Sequence, residues 1–479
     1  MQNHSLRARS IQALLLAATL GLSGCASFSD DGGMTVVSEV AGKTIKKDVA
    51  FVRTVDQAEQ ASSAVARLLS RPLTADLAVQ VALLNNKGLQ ASYNELALAE
   101  TDLVQDSLPP NPTFSISRIA GDGASEVERQ VVGDILGLAT LPFRSDIARD
   151  RFRAAQLKAA LTTLKLAAEV RRAYFRTVAA NELVALLTDA KSTAEATAQL
   201  ATKLGETGSL NKLDQAREQV FYAETSADLA TARQAASSAR ERLARLMGVW
   251  GSELGFRIPD TLPALPRRPR SLPAIEIDAV THRLDLEIAR IELAALAKTQ
   301  NLTEATRFVT MLDVAGIDRK TSDPDVQPFR ERGLDVTFQI PIFDGGEVRV
   351  RQAVETYNLA FNRLTEKAIN VRSEARDAYR SYRSTYDIAN HYQREVLPLR
   401  KIITEEMQLR YASMQVDVFA LLTEARQRLA SLRAALDAKR AFWLAQSELQ
   451  AAVNGGANEG DGGSETTTTA SAQASGGDH

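Results

Sequence analysis

The sequence predicts a mainly α-helical protein with a small β part. Its protomer holds two repeats of long coiled-coil helical hairpins plus four β-strands. Three observations predict this. The order of elements from about Pro72 to Gly251 recurs from about Pro273 to Gly455. Long stretches carry small and apolar residues spaced three and four apart, and short stretches alternate apolar with polar residues. A long fixed period marks a structural unit that completes its core by packing against its copies.

The chain divides into residues 1–24, 25–70, 71–257, 258–273, 274–455 and 456–479. The first segment reads as a signal peptide. Arg7 and Arg9 precede an apolar run from Ile11 to Leu22, shorter than the roughly 20 residues a membrane-spanning helix needs. Leu22-Ser23-Gly24-Cys25 then matches the pattern of a bacterial lipobox, which makes Cys25 the expected lipidated mature terminus. The alternative is an ordinary secretory signal with a chance cysteine. Cys25 is the single cysteine, so no internal disulfide is possible. Ala26 rather than Asp follows it, a choice that favours delivery to the outer membrane. Residues 25–70 read as a polar linker with little pattern.

Composition narrows the class. Hydrophobic residues make up 45% of the chain but aromatic ones only 5%, so Ala, Leu and Val carry the apolar content, as in closely packed helices. With 57 Lys+Arg against 59 Asp+Glu there is no basic excess for nucleic acid. Beyond the signal no apolar run is long enough for a transmembrane helix, so a membrane-crossing part would have to be built of strands.

Each repeat opens with a helix, Leu73–Asp106 in the first and Ile275–Glu304 in the second. Two strand-like stretches, a Pro-marked turn and a very long helix follow. From Asp344 to about Arg410 the only break is Pro398, which should kink the helix. Phe361, Leu364, Ala368, Val371 and Ala375, then Tyr379, Tyr382, Tyr386 and Ala389, form one seam. Leu213, Ala216, Val220, Ala223, Ala227 and Ala230 form another. Short breaks at Leu204–Ser209 and Ser413–Asp417 make the flanking helices antiparallel neighbours. Leu213–Arg217 aligns with Leu422–Arg426 across the repeats. Between the repeats, residues 258–273 hold Pro259, Pro263, Pro266, Pro269 and Pro273 with Arg267, Arg268 and Arg270, which reads as a solvated extended linker. Residues 456–479 have no hydrophobic pattern and read as a disordered tail.

The strand candidates have one apolar and one polar face. Leu334, Val336, Phe338 and Ile340 alternate with Asp335, Thr337 and Gln339. Phe114 and Ile116 alternate with Thr113, Ser115 and Ser117; Leu312 and Val314 flank Asp313; Val131–Leu141 is a poorer match. Barrel strands and soluble half-buried strands share this pattern. Since the smallest transmembrane barrels have about 8 strands, four strands per chain imply a shared barrel, about 12 strands from three copies.

Several motifs then resemble the TolC-like outer-membrane efflux proteins over residues 70–453. They are Leu73-Thr74 with Ala78 and Ala82, Asn111-Pro112, and Ile340-Pro341-Ile342-Phe343-Asp344-Gly345-Gly346 entering the long helix. Arg410-Tyr411, Leu421-Leu422 and Ala425-Arg426 follow at the second tip. The resemblance implies a homotrimer whose 12-strand barrel in outer-membrane lipid continues as a periplasmic α-helical barrel. It implies a passive conduit working with a periplasmic membrane-fusion adaptor and an inner-membrane pump. Leu83–Ala91 resembles members paired with heavy-metal exporters of the resistance–nodulation–division class. The implied adaptor-docking tips are Leu204, Gly205, Glu206 and Thr207 with Ser413, Met414, Gln415 and Val416. Some relatives narrow the tip with acids about six and nine residues past the tip glycine. Those positions are Asn211 and Asp214 here, with Ala420 and Thr423 opposite, so the gate falls to Asp214, Asp417 or Glu424.

No catalytic constellation, metal cluster or cofactor motif competes. His4, His282, His391 and His479 are isolated from one another, and Gly121-Asp122-Gly123 reads as a turn. Two other classes stay open: a coiled-coil lipoprotein scaffold without a pore, and a periplasmic adaptor, which would carry one hairpin rather than two repeats. Replacing Cys25 with Ser should abolish labelling by a radioactive fatty acid and leave unprocessed precursor. Labelling that persists in this variant would disprove the lipidation.

Overall fold

The computed structural model describes residues 27–121, 124–323 and 326–455. The signal segment, Cys25 and the tail 456–479 lie outside them. The chain folds as two compact units. The first holds residues up to Thr163 with Glu241–Pro259 and Ala274–Arg376. The second holds Leu164–Arg240, Asp260–Pro273 and the chain from Asp377.

Residues 27–70 are not a loose linker. A short helical run from Met34 to Ile45 includes a π turn and buries Val37 and Ala41. α1 follows at Val55–Leu69, opened by Thr54, whose hydroxyl accepts from the Gln57 amide while Gln57 caps back. The extended chain between them is tied down by two glutamines. Gln80 accepts from the Asp48 amide (3.1 Å) and donates to the Asp48 carbonyl (3.0 Å). Gln90 likewise accepts from Val52 (2.9 Å) and donates to Ala50 (2.9 Å). A few apolar anchors and polar side chains copying backbone partners leave no periodic trace in sequence.

The opening helix of each repeat is two helices, not one. α2 (Ala75–Asn85) and α3 (Lys87–Ser107) part at Asn86, which turns extended at ψ 115° and caps α3 through the Leu89 amide (2.9 Å). The Asn85 and Asn86 amides also donate to the Gly248 and Leu246 carbonyls (2.7 and 2.9 Å). The corresponding helices of the second repeat part at Arg283.

β1 (Thr113–Gly121) and β2 (Ala124–Asp134) form a hairpin. The strand expected at Val131–Leu141 stops at Asp134, because its carboxylate accepts from the Gly137 amide (2.7 Å) and starts a helix at once. α4 (Ile135–Glu206) is 72 residues long and runs straight through Pro142, where a turn was expected. Pro142 is the eighth residue of this helix and removes one intrahelical donor. α5 (Lys212–Met247) returns from it.

In the second repeat α6 (Ile275–His282) and α7 (Leu284–Ala305) part at Arg283, at ψ 122°. The Arg283 guanidinium is buried and grips Asp285 with two bonds (3.0 and 2.8 Å) while also reaching Glu374. β3 (Met311–Asp323) and β4 (Val326–Gln339) complete one antiparallel sheet in the order β1-β2-β3-β4. Gly345 and Gly346 then turn the chain at φ 58° and 75°. A Cβ on Gly346 would collide with the Arg307 carbonyl, so this turn needs glycine.

α8 (Glu347–His391) and α9 (Leu397–Ala412) are joined by a π turn at Tyr392–Val396. The kink expected at Pro398 is met by this wider turn, which spares the ring the clash with the carbonyl four residues back. α10 (Val418–Asn454) closes the chain.

The second unit packs around aromatic rings despite their scarcity. Phe175 stacks on Trp443 (5.0 Å), and Phe442 meets Tyr382 (5.6 Å), Tyr386 (5.7 Å) and Trp443 (5.3 Å). The Pro-rich segment is extended and mostly exposed as expected, and it is also a strap. Leu262 is buried and its amide donates to Glu182 (2.7 Å). The Tyr386 hydroxyl donates to the Pro266 and Arg267 carbonyls (3.1 Å each), Trp443 donates to Pro263 (3.1 Å), and Tyr382 accepts from the Arg270 amide (3.0 Å). Prolines lack N–H groups, so the ring hydroxyls and the indole bond to the exposed carbonyls.

The α8 seam is buried from Val371 through Ala375, Tyr382, Tyr386 and Ala389, whereas Phe361 is 50% exposed. The α5 seam faces outward. Leu213 and Val220 are 61% and 54% exposed, and the inward face is Glu218, Thr225, Leu229 and Ala232.

Tyr93 is buried in the first unit, its hydroxyl bonded to Thr163 (2.9 Å). Burial pushes this phenol up to about 12, and the Thr163 bond offsets only part of the effect. The raised value favours the protonated fold, so its contribution is intact below pH ~10 and lost as pH rises from about 10 to 12. Between those pH values wild type should lose roughly 2 to 3 kcal/mol more unfolding free energy than Tyr93→Phe, by denaturant titration.

Candidate functional site: sheet faces and hairpin tips

The ladder register sorts the strand residues by face, because side chains alternate and paired residues share a side. Phe114 pairs with Val131, Val131 with Gly316, and Gly316 with Leu334. On that face, toward the helix-connected ends, lie also Leu312, Val314, Val336 and Phe338. Phe114, Ile116, Leu334, Val336 and Phe338 are 72, 77, 82, 54 and 59% exposed, so no described residue covers this band. Ile340, Ile342 and Phe343 continue it in sequence and are exposed too.

The opposite face is mixed but rich in acids. It carries Ser115, Ser117, Gln130 and Thr337 with Glu126, Glu128, Asp313, Glu331 and Asp335, beside Ile119, Val132, Ile317 and Phe329. Arg319 is the cation there among the described residues, bonded to Glu126 (2.8 Å) and Glu128 (2.6 Å). This face therefore carries a net negative charge. The two sides match the lipid-facing and water-facing surfaces of a barrel wall. β1 and β4 form its edges, and no described strand pairs with their outer sides. No helix among the described residues is long and apolar enough to cross a membrane.

The two helix-hairpin tips are built alike. α4 ends with Ser209 N–H bonding the Leu204 carbonyl (2.9 Å), and α9 with Gln415 N–H bonding that of Arg410 (2.8 Å). Both are Schellman closures around a left-handed residue, Gly208 at φ 74° and Met414 at φ 59°. The returning helices are capped by Asn211, which accepts from the Asp214 amide (2.9 Å), and by Asp417, which accepts from Ala420 (2.9 Å).

This cap geometry sets Gly208 over Met414 and Asn211 over Asp417. It lies three residues out of register with the sequence alignment of Leu213 on Leu422. Leu204, Gly205 and Glu206 are still helical, and Gly205 is no left-handed cap. Its Cα comes so close to α5 that an added Cβ would lie 2.8 Å from Gln215 Oε1. Thr207, Ser413, Met414 and Gln415 are exposed at the tips, and Val416 is half-buried. Asn211 was legible in principle as a helix-start residue type and Gly208 as a helix-end one.

The gate candidates have other partners. Asp214 accepts from Asn211 (2.6 Å) and Arg217 (2.9 Å). Asp417 caps α10 but stays exposed. Glu424 is 5% exposed, held by Arg400 (3.1 Å) and Thr404 (3.3 Å) on the facing helix of its hairpin. Glu218 is buried in the same way against Arg426 (2.8 Å).

No protein-family model matches the chain. The cobalt-zinc-cadmium resistance protein CzcC of Cupriavidus metallidurans is 27% identical over 210 residues, 41% of this chain. The match spans 47% of that relative, about half its length. Among solved structures, the Campylobacter jejuni CmeC outer membrane channel superposes with a TM-score of 0.67 at 16% identity, covering 81% of this chain and 87% of that one. The open-state Neisseria gonorrhoeae MtrE outer membrane channel gives 0.65 at 17% identity, covering 82% and 89%. CusC, solved in a study of transmembrane channel formation, gives 0.64 at 18%, covering 81% and 92%. The fold of these outer-membrane channels is the fold of this chain, as the TolC-like motifs implied.

Met414 holds a conformation that costs an L-residue about 1 to 2 kcal/mol and glycine very little. Met414→Gly should slow amide exchange at the Gln415 N–H, consistent with roughly 1 kcal/mol of local stabilisation. Gly208→Val should speed exchange at Ser209 by a similar increment.

Proposed function

We propose that this chain is the outer-membrane channel of an efflux system, a passive conduit open to cations. One observation carries the reading: a four-stranded sheet with a bare apolar face, an acidic face and two open edges. Open edges are not tolerated in lipid, so β4 of one copy pairs with β1 of the next. Three copies make a homotrimeric barrel of about 12 strands, within the known range of such barrels. The outward seam at Leu213, Ala216 and Val220 supports the same assembly, because it offers a neighbouring copy a small-residue face. Cys25 anchors each copy in the membrane by its lipid.

The tips at Thr207–Ser209 and Ser413–Val416 meet a periplasmic membrane-fusion adaptor. An inner-membrane pump, of the resistance–nodulation–division class by the likeness of Leu83–Ala91, loads the passage. Asp214 at the first tip and Asp417 and Glu424 at the second are the gate candidates. The carboxylates of the inner sheet face favour cationic cargo, as rings of Asp and Glu do in cation channels. The name of the CzcC relative, a cobalt-zinc-cadmium resistance protein, supports divalent metal as that cargo.

Planar bilayers holding the purified protein should show stepwise, cation-selective conductance. Asp313→Asn with Asp335→Asn should lower the cation-to-anion permeability ratio severalfold at unchanged trimer yield. A protein that sediments as a monomer in detergent with its strands intact, and that conducts nothing, would instead be a scaffold without a pore.

A further inference from the structure

The apolar face of the sheet changes character toward the hairpin turns. Two rungs beyond Val314 and Val336, Ile116, Arg129, Asp318 and Arg332 lie side by side on the four strands. The next rung holds Arg118, Val127, Lys320 and Arg330. Among the described residues, this end of the face thus presents Arg118, Arg129, Lys320, Arg330 and Arg332 against one carboxylate, Asp318. Asp318 takes two bonds from Arg330 (2.5 and 2.6 Å) and one from Arg332 (3.4 Å), with Arg129 at 3.9 Å. Side chains of Arg129, Arg330 and Arg332 remain 63, 53 and 74% exposed. One carboxylate leaves most of this positive charge uncompensated.

Cations are costly within a lipid-facing band and become tolerable at its edge, where anionic headgroups lie. The two rungs lie about 7 Å apart along the strands, a spacing of two residues. We infer that this cluster binds the headgroup of a diphosphorylated membrane lipid in the leaflet on the side of the hairpin turns. Each rung supplies guanidinium or ammonium donors to one phosphate, and Arg supplies paired bonds that suit phosphate oxygens. Asp318 orients Arg330 and Arg332 and competes with the phosphates for them. The inference rests on the proposed lipid-facing role of the sheet, and it assigns that face a ligand.

The test uses the full-length protein in phosphatidylcholine nanodiscs, with diphosphoryl lipid A, monophosphoryl lipid A or phosphatidylglycerol as the titrated probe. Wild type should bind diphosphoryl lipid A more tightly than either other probe. Each cation near a charged lipid surface contributes about fivefold in affinity, so the R129Q/R330Q/R332Q triple variant should bind roughly 100-fold more weakly. Asp318→Asn should bind severalfold more tightly than wild type. Conductance of the triple variant should persist, because the substitutions lie on the face away from the passage. Equal binding by wild type and triple variant, in protein that inserts and conducts, overturns this inference and leaves the conduit reading intact. Equal affinity for phosphatidylglycerol overturns the commitment to a diphosphorylated headgroup. A protein that neither inserts nor conducts removes both readings.

Discussion

Every buried or lipid-exposed backbone N–H and C=O needs a partner, and a four-stranded antiparallel sheet leaves two rows of them open at β1 and β4. In water those rows would be solvated, and the bare apolar band beside them would be the part in need of cover. In lipid the positions reverse: the band is at home and the edges are not. Closing the sheet against further copies resolves this, because only a closed barrel has no edges. The antiparallel order and the strand lengths suit one wall of the barrel proposed above.

Polar side chains set the joints of the helical part. Asn86 and Arg283 break the opening helices at matching points of the two repeats, one by capping, the other by gripping Asp285 and Glu374. At the tips, Asn211 and Asp417 do the same work by the same bond. The repeats therefore share a plan of caps and joints more closely than they share residues. Where they differ, as Met414 stands in for Gly208, the backbone keeps its conformation and the side chain bears the strain.

Charge is distributed on the sheet as sharply as hydrophobicity. Acids collect on the polar face and are partly neutralised by Arg319, while cations collect at the turn end of the apolar face around Asp318. One side suits a path for cations in water and the other a boundary between hydrocarbon and anionic headgroups. The same two-residue alternation that hides apolar groups from water thus also separates charges of opposite sign by the thickness of one sheet.

The doubled order of elements, the long helices, the strands at Thr113 and Leu334 and the short breaks at the tips were all legible in the sequence. Each rests on a local period of two or three-to-four residues, and a period survives without knowledge of the partner. What the tertiary structure decided lacks such a period. Asn86 and Arg283 interrupt helices through bonds to residues far along the chain, and the Pro-rich segment becomes a strap because Tyr386, Tyr382 and Trp443 happen to face it. Residues 27–70 order through glutamines that imitate backbone, which composition alone reads as polar chain. The α5 seam was found by spacing but faces outward, since spacing defines a stripe and not its direction. That Glu424 is held by Arg400 across its hairpin was not legible either, since the two lie on different helices. The division of the strands into an acidic, an apolar and a basic zone also needed the register, because only pairing across strands says which residues stand side by side.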